Sequence, residues 1–463
     1  MVAQSIAGEI VAAPESASST PYPSSGTAWY SVSVLMVMYV FSFIDRTTIA
    51  LLVGPMKRDM HLTDTQVGLM TGTAFALLYT FLGLPIARLA DRHSRRGIIA
   101  VGVLVWSIMA SACGLARTAA QLFVARMGVG VGEAALSPSA YSMITDSFPR
   151  SKLGRAFGVY NVGITLGAGI ALLLGGIVVS AVSHAGATFD VPIFGTVRAW
   201  QLVFIVTGLP GVLLPLLLLT FREPRRTGVL RGLNQAGLSE PPRPSLGEVL
   251  SYVWKNKTFY ALHFVGIALL AMAGYSVSSW LPEALVRVYP VTTGQVGKVL
   301  GTSIIIMNSI GVLLAGVLCD RMTRAGKQDA PITVALISAA GIATFACFPP
   351  FMPTVSLIWV SIFVSGITFN AYNTVATMAI NQVTPNQYRA QVSAVYLFVV
   401  NAFGLGLGPP LVGWITQHVL HDPAKLRFAL VGVVFGSAII SIILLAAVRP
   451  IYRRKQLEAA QWR

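Results

Sequence analysis

The chain has 463 residues, of which 55% are hydrophobic and 11% are charged, and its formal net charge is +16. Soluble domains carry about 25% charged residues, so this chain lacks the polar groups to cover several soluble domains. The apolar content excludes a disordered chain, and three cysteines are too few for a disulfide scaffold. The composition therefore favours a membrane protein.

The first segment, residues 1–27, contains no Lys or Arg and is rich in Ala, Ser and Pro. A secretory signal needs a basic segment before its apolar core, so we predict a disordered tail here. From Ala28 onward the chain is divided into apolar blocks, most of them long enough to cross a bilayer as helices. The twelve predicted spans are 28–55, 66–87, 97–116, 119–143, 153–183, 200–221, 258–282, 295–318, 331–349, 354–383, 388–416 and 425–447.

The predicted spans fall into two sets of six. The first set occupies 28–221 and the second 258–447, which predicts two six-helix bundles. Between them, 222–257 form a basic cytoplasmic middle loop whose end, 246–254, is amphipathic and suited to the membrane surface. The last residues, 448–463, are predicted to form a basic cytoplasmic tail. Glycines recur in the fifth and eleventh spans, where they predict close helix packing.

The 33 Lys and Arg residues are unevenly distributed. With the N-terminus inside, 23 fall in cytoplasmic segments, 8 in outside segments and 2 within spans. This bias follows the positive-inside rule and predicts that both termini are cytoplasmic. Topology thus explains the net charge, and no nucleic-acid partner is expected.

A short basic motif occurs twice, after the second and the eighth predicted span. Residues 87–96 read ARLADRHSRR and residues 316–324 read GVLCDRMTR, with Asp-Arg at the same place in each. A second pair of similar segments begins at Pro149 and Pro385, before the fifth and eleventh spans. Repetition at equivalent places indicates the duplication of a six-helix unit.

The aspartates of the repeated motif predict an electrostatic latch between the halves, because a carboxylate at a helix end can pair with Arg. We expect Asp91 to pair with Arg389, and Asp320 with Arg155, when the outside is open. Ordinary positive-inside flanks that happen to contain Asp are the alternative. The residues assigned to this latch are Asp91, Arg92, Arg95, Arg96, Arg155, Asp320, Arg321 and Arg389.

The motif at 87–96 resembles the signature G-x-L-A-D-R-x-G-R-R of the major facilitator superfamily, with Ala87 and Ser94 in place of its two glycines. The resemblance covers nearly the whole chain. It implies an all-α membrane protein with twelve transmembrane helices in two six-helix pseudo-repeats.

Within that superfamily, the segments Phe43-Ile44-Asp45-Arg46 and Arg126 to Ala134 are similar to the spinster family. Its animal members export sphingosine 1-phosphate and lysophospholipids, and proton coupling is proposed for several of them. The absence of a long eukaryotic tail and the richness in Ala, Gly and Arg predict a bacterial member, in the plasma (bacterial inner) membrane. We expect a monomer that contacts membrane lipids, protons and its substrate.

Four charged residues lie deep inside predicted spans, away from the span ends, where a charge costs several kcal/mol and indicates function. Asp45 and Arg46 are in the first span, and Arg126 and Glu133 share one face of the fourth. Arg46 and Arg126 are predicted to bind an anionic group of the substrate, and Asp45 and Glu133 to carry protons. A static ion-pair network that only positions the two spans is the alternative.

The second half offers polar and aromatic side chains instead of charges in its seventh and tenth spans. The predicted substrate-binding residues there are Tyr275, Asn370, Tyr372 and Asn373. A charged wall facing an aromatic, amide-bearing wall suits an amphiphile. Trp280, beside Pro282, is expected to be an interfacial anchor, and His263 to be a structural side chain.

Enzyme signals are weak in this sequence. There is no glycine-rich nucleotide loop and no cluster of metal-binding His or Cys, so we expect no metal and no cofactor. The predicted function is secondary active transport by alternating access, proton-coupled, of an amphiphilic anion such as a lysolipid or sphingolipid phosphate. The alternatives are a carrier of a small organic acid or sugar acid, a non-transporting membrane receptor or scaffold, and a membrane-embedded lipid enzyme.

Overall fold

A computed structural model describes residues 22–148, 150–185, 188–191, 195–225 and 245–460. Most of the predicted tail at 1–27 lies outside these residues, and so does most of the middle loop. The helices of the first six spans are Ser25–Thr47 with Ile49–Met60; Asp64–Gly68 with Leu69–Thr73 and Ala74–Arg92; Arg95–Cys113; Ala119–Glu133 with Leu136–Ser147; Arg150–Ala185; and Ala199–Gly208 with Leu209–Leu213 and Pro215–Leu218.

The second six spans follow the amphipathic helix Leu246–Lys255. Their helices are Lys257–Val288; Thr293–Ser303 with Ile304–Asn308 and Ser309–Arg324; Ala330–Phe345 with Pro349–Phe351; Val355–Phe369 with Ala371–Val383; Asn386–Val399 with Val400–Leu405, Gly406–Trp414 and Ile415–Val419; and Leu426–Ala460, preceded by Pro423–Lys425.

Eleven helical segments of the described chain are long and apolar enough to cross a membrane. The predicted fourth span is the remaining one, because it is broken after Glu133 into two shorter helices. Pro138 explains the break, since proline is tolerated in the first turn of a new helix but not inside a continuous one. The predicted all-α fold of twelve helices in two sets of six is confirmed, with this interruption in span four.

Other departures from the predictions occur at segment ends. A two-stranded antiparallel hairpin, Thr188–Val191 with Gly195–Arg198, joins spans five and six, where we predicted only a loop. The last helix runs without a break to Ala460, so the described part of the predicted basic tail is helical. The amphipathic segment near 246–254 is a helix, as its pattern predicted.

Spans alternate in direction, so the first and last helices place both chain ends at one end of the bundle, here called the termini end. Described contacts between the two halves concentrate at the opposite end, here called the far end. There span five crosses span eight with Gly176 against Gly297, and a Cβ on Gly297 would lie 3.1 Å from the Cα of Gly176. The predicted packing role of the span-five glycines is confirmed at this crossing.

Candidate substrate and proton site

Span one and span four meet at a buried ion pair in the first half. Arg46 Nη2 donates to Glu133 Oε2 at 2.5 Å, and Ser42 Oγ donates to the same oxygen at 2.6 Å. Ser42 and Arg46 are four residues apart, so both lie on one helix face. The Glu133 side chain is 1% exposed and the Arg46 side chain 10% exposed. Two donors from span one therefore bind the same oxygen of Glu133.

Aromatic rings surround the Arg46 guanidinium. Its Cζ lies 4.7 Å from the ring centroid of Phe43, 4.3 Å from that of Phe75 and 5.1 Å from that of Tyr79. A cation over such rings is attracted by their negative faces. The rings therefore stabilise the guanidinium in a largely apolar region, and they restrict its orientation.

Asp45 and Arg126 form a second, looser arrangement. Arg126 Nη1 donates to the backbone carbonyl of Asp45 at 3.1 Å, not to its carboxylate. Both side chains are buried, and neither oxygen of the Asp45 carboxylate has a hydrogen-bond partner among the residues described. The Nε and Nη2 atoms of Arg126 are likewise buried without partners there. Burying an ionised carboxylate without a hydrogen-bond partner costs several kcal/mol, so Asp45 differs from the paired Glu133.

The second half contributes aromatic and amide side chains from spans seven and ten. Tyr275 of span seven lies near enough to Arg46 to interact with its charge, and it also lies near Tyr372 of span ten. Asn373 Nδ2 donates to Asn370 Oδ1 at 3.2 Å, where span ten is interrupted. The structure thus brings Tyr275 to the charged site of the first half. Tyr372 lies next to Tyr275, and Asn373 and Asn370 follow on the side of Tyr372.

Two single residues of span seven have structural contacts. The expectation that Trp280 is an interfacial anchor is wrong: the residue is buried, and its Nε1 donates to the carbonyl of Pro409 at 2.8 Å. His263 is buried with Nε2 3.1 Å from the carbonyl of Ala376, which supports its predicted structural role.

At the termini end, Arg95 and Arg96 are bound within the first half. Arg95 pairs with Asp146 and with Glu223, whose Oε1 lies 2.9 Å from Arg95 Nε. Arg96 Nη1 donates to the carbonyl of Phe221 at 2.8 Å, at the end of span six. Burial alone would raise the pKa of Glu223, but hydrogen bonds from Ser94 and Arg95 outweigh it and lower the pKa. These two arginines therefore tie spans three, four and six together rather than join the halves.

The other predicted latch residues are not joined in the structure as described. The side chains of Asp91 and Arg92 lie outside the described part, so their predicted contacts are not visible. Arg155, Asp320 and Arg321 are exposed, and no ion pair joins them to another described residue. Arg389 Nε donates to the backbone carbonyl of Thr384 at 2.8 Å.

The far end carries an ion-pair cluster that the sequence analysis missed. Asp64 Oδ1 lies 2.6 Å from Lys57 Nζ in the first half and 2.9 Å from Arg287 Nη2 in the second half. Arg287 Nε also binds Glu283 at 2.9 Å. Nearby, the backbone amide of Thr65 donates to a side chain of span eleven at 3.3 Å. The two halves are thus joined at this end by a partly buried charge pair.

Different signals were available for these missed residues. Spacings of four residues, between Ser42 and Arg46 and between Phe75 and Tyr79, indicate shared helix faces and could have suggested the rings and the extra donor. The spacing of four residues between Glu283 and Arg287 is the same kind of signal, but the contact of Arg287 with Asp64 has none, because these two residues are far apart in the sequence.

Comparison with known proteins places this architecture in a family. The model of the Major Facilitator Superfamily matches residues 35–409, so the chain belongs to this superfamily. Membership identifies it as a transporter and not an enzyme, as predicted.

Several relatives narrow the resemblance. The chain is 26% identical over 445 residues to an MFS-type efflux pump of Mycolicibacterium smegmatis, covering 94% of this chain and 95% of the pump. It is 24% identical to protein spinster of Drosophila melanogaster, covering 86% of this chain and 63% of that protein. It is 23% identical to a probable L-galactonate transporter of Escherichia coli, covering 73% of this chain and 74% of that protein.

A solved structure matches along almost the whole chain. It is a bacterial homologue of the human lysosomal transporter spinster, in an inward-facing and occupied conformation, with 28% identity and a TM-score of 0.72. It covers 94% of this chain and 99% of that one. The predicted spinster resemblance is therefore confirmed, and the protein is a multi-pass, spinster-like transporter of the superfamily.

Proposed function

We propose that this transporter works by alternating access, is coupled to protons through Asp45 and Glu133, and moves an amphiphilic anion such as a lysolipid or a sphingolipid phosphate. The observation that carries the proposal is the unequal pairing of the four buried charges. Arg46 and Glu133 neutralise one another, whereas Arg126 donates to the backbone carbonyl of Asp45 and forms an ion pair with no carboxylate of the described residues. With Asp45 protonated, the site retains one uncompensated positive charge.

This charge balance links protons to the substrate. When Asp45 is protonated, an anionic head group can supply the missing negative charge near Arg46 and Arg126. When Asp45 loses its proton, its own carboxylate supplies that charge, and the anion is bound less tightly. By thermodynamic linkage, protonation of Asp45 and binding of the anion then favour each other. Arg126 is fully buried, so in this conformation it attracts the anion through its charge without touching it. Arg46 is partly exposed and contacts the anionic group.

The surrounding side chains favour an amphiphile. The rings of Phe43, Phe75 and Tyr79 border the charged group in the first half, and Tyr275 and Tyr372 continue the aromatic surface into the second. A lysolipid would place its phosphate by Arg46 and its chain along these rings. The alternative substrate is a small organic acid or sugar acid, which the likeness to the probable L-galactonate transporter supports.

The distribution of basic residues supports an orientation. Of the 33 Lys and Arg residues, 23 fall in segments at the termini end, so we place that end in the cytoplasm of a bacterial cell and the protein in the inner membrane as a monomer. The Asp64–Arg287 pair then closes the external side, and the structure corresponds to an inward-facing state. In the outward-facing state, Asp91 pairs with Arg389 and Asp320 with Arg155 as a cytoplasmic latch.

The test is flux through the purified protein in vesicles. Labelled lysophospholipid and labelled sugar acid are compared, each with and without a pH gradient. Movement of the lysolipid that depends on the gradient supports the proposal. If only the sugar acid is transported, the substrate is a small organic acid and not an amphiphile. If either compound is transported at a rate that the pH gradient does not change, proton coupling is contradicted.

A further inference from the structure

The amphipathic helix Leu246–Lys255 has one face packed on the protein and one face exposed. Its packed face includes Val249, which is fully buried, and Tyr252, whose ring stacks on Tyr388 with centroids 4.7 Å apart. On the other side, Leu250 is 48% exposed and Trp254, one turn later, is 71% exposed. This exposed pair is apolar and continuous with the spans, because span seven begins directly after the helix.

Basic groups border the exposed Trp254. Lys255 and Lys257 are both exposed, and Lys257 Nζ lies 4.9 Å from the centroid of the Trp254 ring. Lys455, near the end of the last helix, donates from Nζ to Asn256 Oδ1 at 2.5 Å and so joins the same surface. These three lysines and Trp254 are called the lysine–tryptophan surface below.

One acidic side chain faces this surface from the last helix. Glu458 interacts electrostatically with Lys455. Glu248 lies at the start of the amphipathic helix, and its Oε2 accepts a hydrogen bond of 2.6 Å from the backbone amide of Ser245. Among the described residues next to Trp254 and its lysines, three positive charges thus face the negative charge of Glu458, while Glu248 lies at the other end of the helix.

Charge and position together define the partner. Trp is enriched where protein leaves the hydrocarbon for the head groups, and Lys side chains near the membrane surface are attracted to anionic lipids. We propose that the lysine–tryptophan surface binds the phosphate of an anionic phospholipid of the phosphatidylglycerol type. Lys255, Lys257 and Lys455 contact the head group, and Leu250 and Trp254 insert into the adjacent acyl region.

The site is connected to a residue of the proposed latch. Tyr252 stacks on Tyr388, the neighbour of Arg389 in the chain. Tyr260 shares a hydrogen bond of 2.9 Å with Thr384 Oγ1, and the carbonyl of Thr384 accepts from Arg389. Lipid bound at this surface therefore stabilises the segment that carries Arg389, although lipid binding itself does not depend on the transport function.

The experiment measures lipid binding by the full chain in nanodiscs of phosphatidylethanolamine with a rising fraction of brominated phosphatidylglycerol. The loss of tryptophan fluorescence with brominated lipid is measured for the wild-type protein and for the Trp254→Phe variant. The difference between the two losses is the quenching of Trp254. Lys255→Gln/Lys257→Gln is compared with Arg324→Gln/Lys327→Gln, a control that removes two exposed basic groups at the same end. The lysine variant is expected to need about tenfold more phosphatidylglycerol for the same quenching.

Three results would overturn the proposal. The first is no Trp254-dependent quenching in the wild-type protein, which would remove Trp254 from the lipid. The second is an equal shift in the control variant, which would reflect only the net charge at this end. The third is full displacement of the lipid by inorganic phosphate at millimolar concentration, which would indicate a site for a soluble anion.

Discussion

Arg46 lies 2.5 Å from Glu133, in a pair that joins span one to span four. The preceding residue in the chain, Asp45, has a carboxylate that makes no hydrogen bond in the part of the chain that is described. Consecutive helical residues diverge by about 100°, so these neighbours face different surroundings. The fixed ion pair and the free carboxylate therefore have separable roles, and substitutions can distinguish them.

Asp45→Asn is expected to remove the pH dependence of substrate binding without abolishing binding, because asparagine resembles the protonated aspartate. Wild-type affinity for the anion should fall about tenfold from acidic to alkaline pH, within the usual range of coupling between two sites. Affinity of the variant should stay at the acidic value. Calorimetric titration at several pH values measures this, with Asp190→Asn in the far-end hairpin as the control. An unchanged pH dependence in Asp45→Asn would assign the coupling proton to another group.

Glu133→Gln is expected to destabilise the protein and to abolish proton-driven flux. Glutamine still accepts from Ser42, but it leaves the charge of Arg46 without a counterion, and breaking a buried pair costs about 3–5 kcal/mol. Thermal unfolding in detergent measures the first effect and vesicle flux the second. If stability falls while proton-driven flux is retained, the static ion-pair network is the correct interpretation of this residue.

The four buried charges and the twelve spans could be predicted because both follow from the cost of polar groups in hydrocarbon. That cost is a property of each residue and its neighbours in sequence, so Asp45 and Glu133 are conspicuous in a single chain. The partners of those charges could not be predicted. Phe75 meets Arg46 because span two packs against span four at Gly130, and side-chain geometry across spans is set by the packing of the whole bundle.

Elements with weak local signals were missed or misassigned. The hairpin at 188–198 is short, and its pairing depends on the turn rather than on an apolar pattern. Trp280 has the amphipathic side chain that is typical of an interfacial anchor. It is nevertheless buried between spans, where its Nε1 donates to the carbonyl of Pro409. Asp64 and Arg287 are 223 residues apart, and only the closure of the far end brings them together.

Glu223→Gln is expected to lower stability at neutral pH and to have little effect in acid. Glu223 has a folded-state pKa below its ordinary value of 4.5, so its stabilisation is complete above that value and is lost as the pH falls through the folded-state pKa. The carboxylate is partly exposed, so we expect about 1 kcal/mol at pH 7. Unfolding curves of both proteins from pH 7 to pH 3 test this. A difference that persists or grows in acid would contradict it.

Asp91→Asn is expected to reduce the population of the outward-facing state, since the proposed latch closes the cytoplasmic end only in that state. Arg389→Gln should have the same effect, and the double variant no more than either alone. Such non-additivity identifies a direct pair, with a coupling of about 1 kcal/mol. Spin-label distances across the cytoplasmic end report the populations. Additive effects of the two substitutions would separate the residues and leave ordinary flanking charges as the explanation.

Arg287→Gln is expected to open the far end while leaving the first half intact. Asp64 is held by Lys57 in its own half and by Arg287 in the other, so this substitution removes the contact that crosses between the halves and leaves the Lys57 contact in place. It also removes the contact of Arg287 with Glu283 within the second half. Losing about 1.4 kcal/mol from one of two states shifts their ratio tenfold, which suffices to populate the outward-facing form.

Accessibility of a cysteine introduced beside Gly54 measures this opening, and Lys425→Gln, an exposed basic residue at the same end, is the matched control. Arg287→Lys keeps the charge and should restore part of the closure. If labelling increases equally in Arg287→Gln and in Lys425→Gln, the opening follows from the net charge at the far end and not from the contact between Asp64 and Arg287. Because Lys57 still neutralises Asp64 in Arg287→Gln, a selective increase would identify the cross-half contact as the element that holds the external side closed.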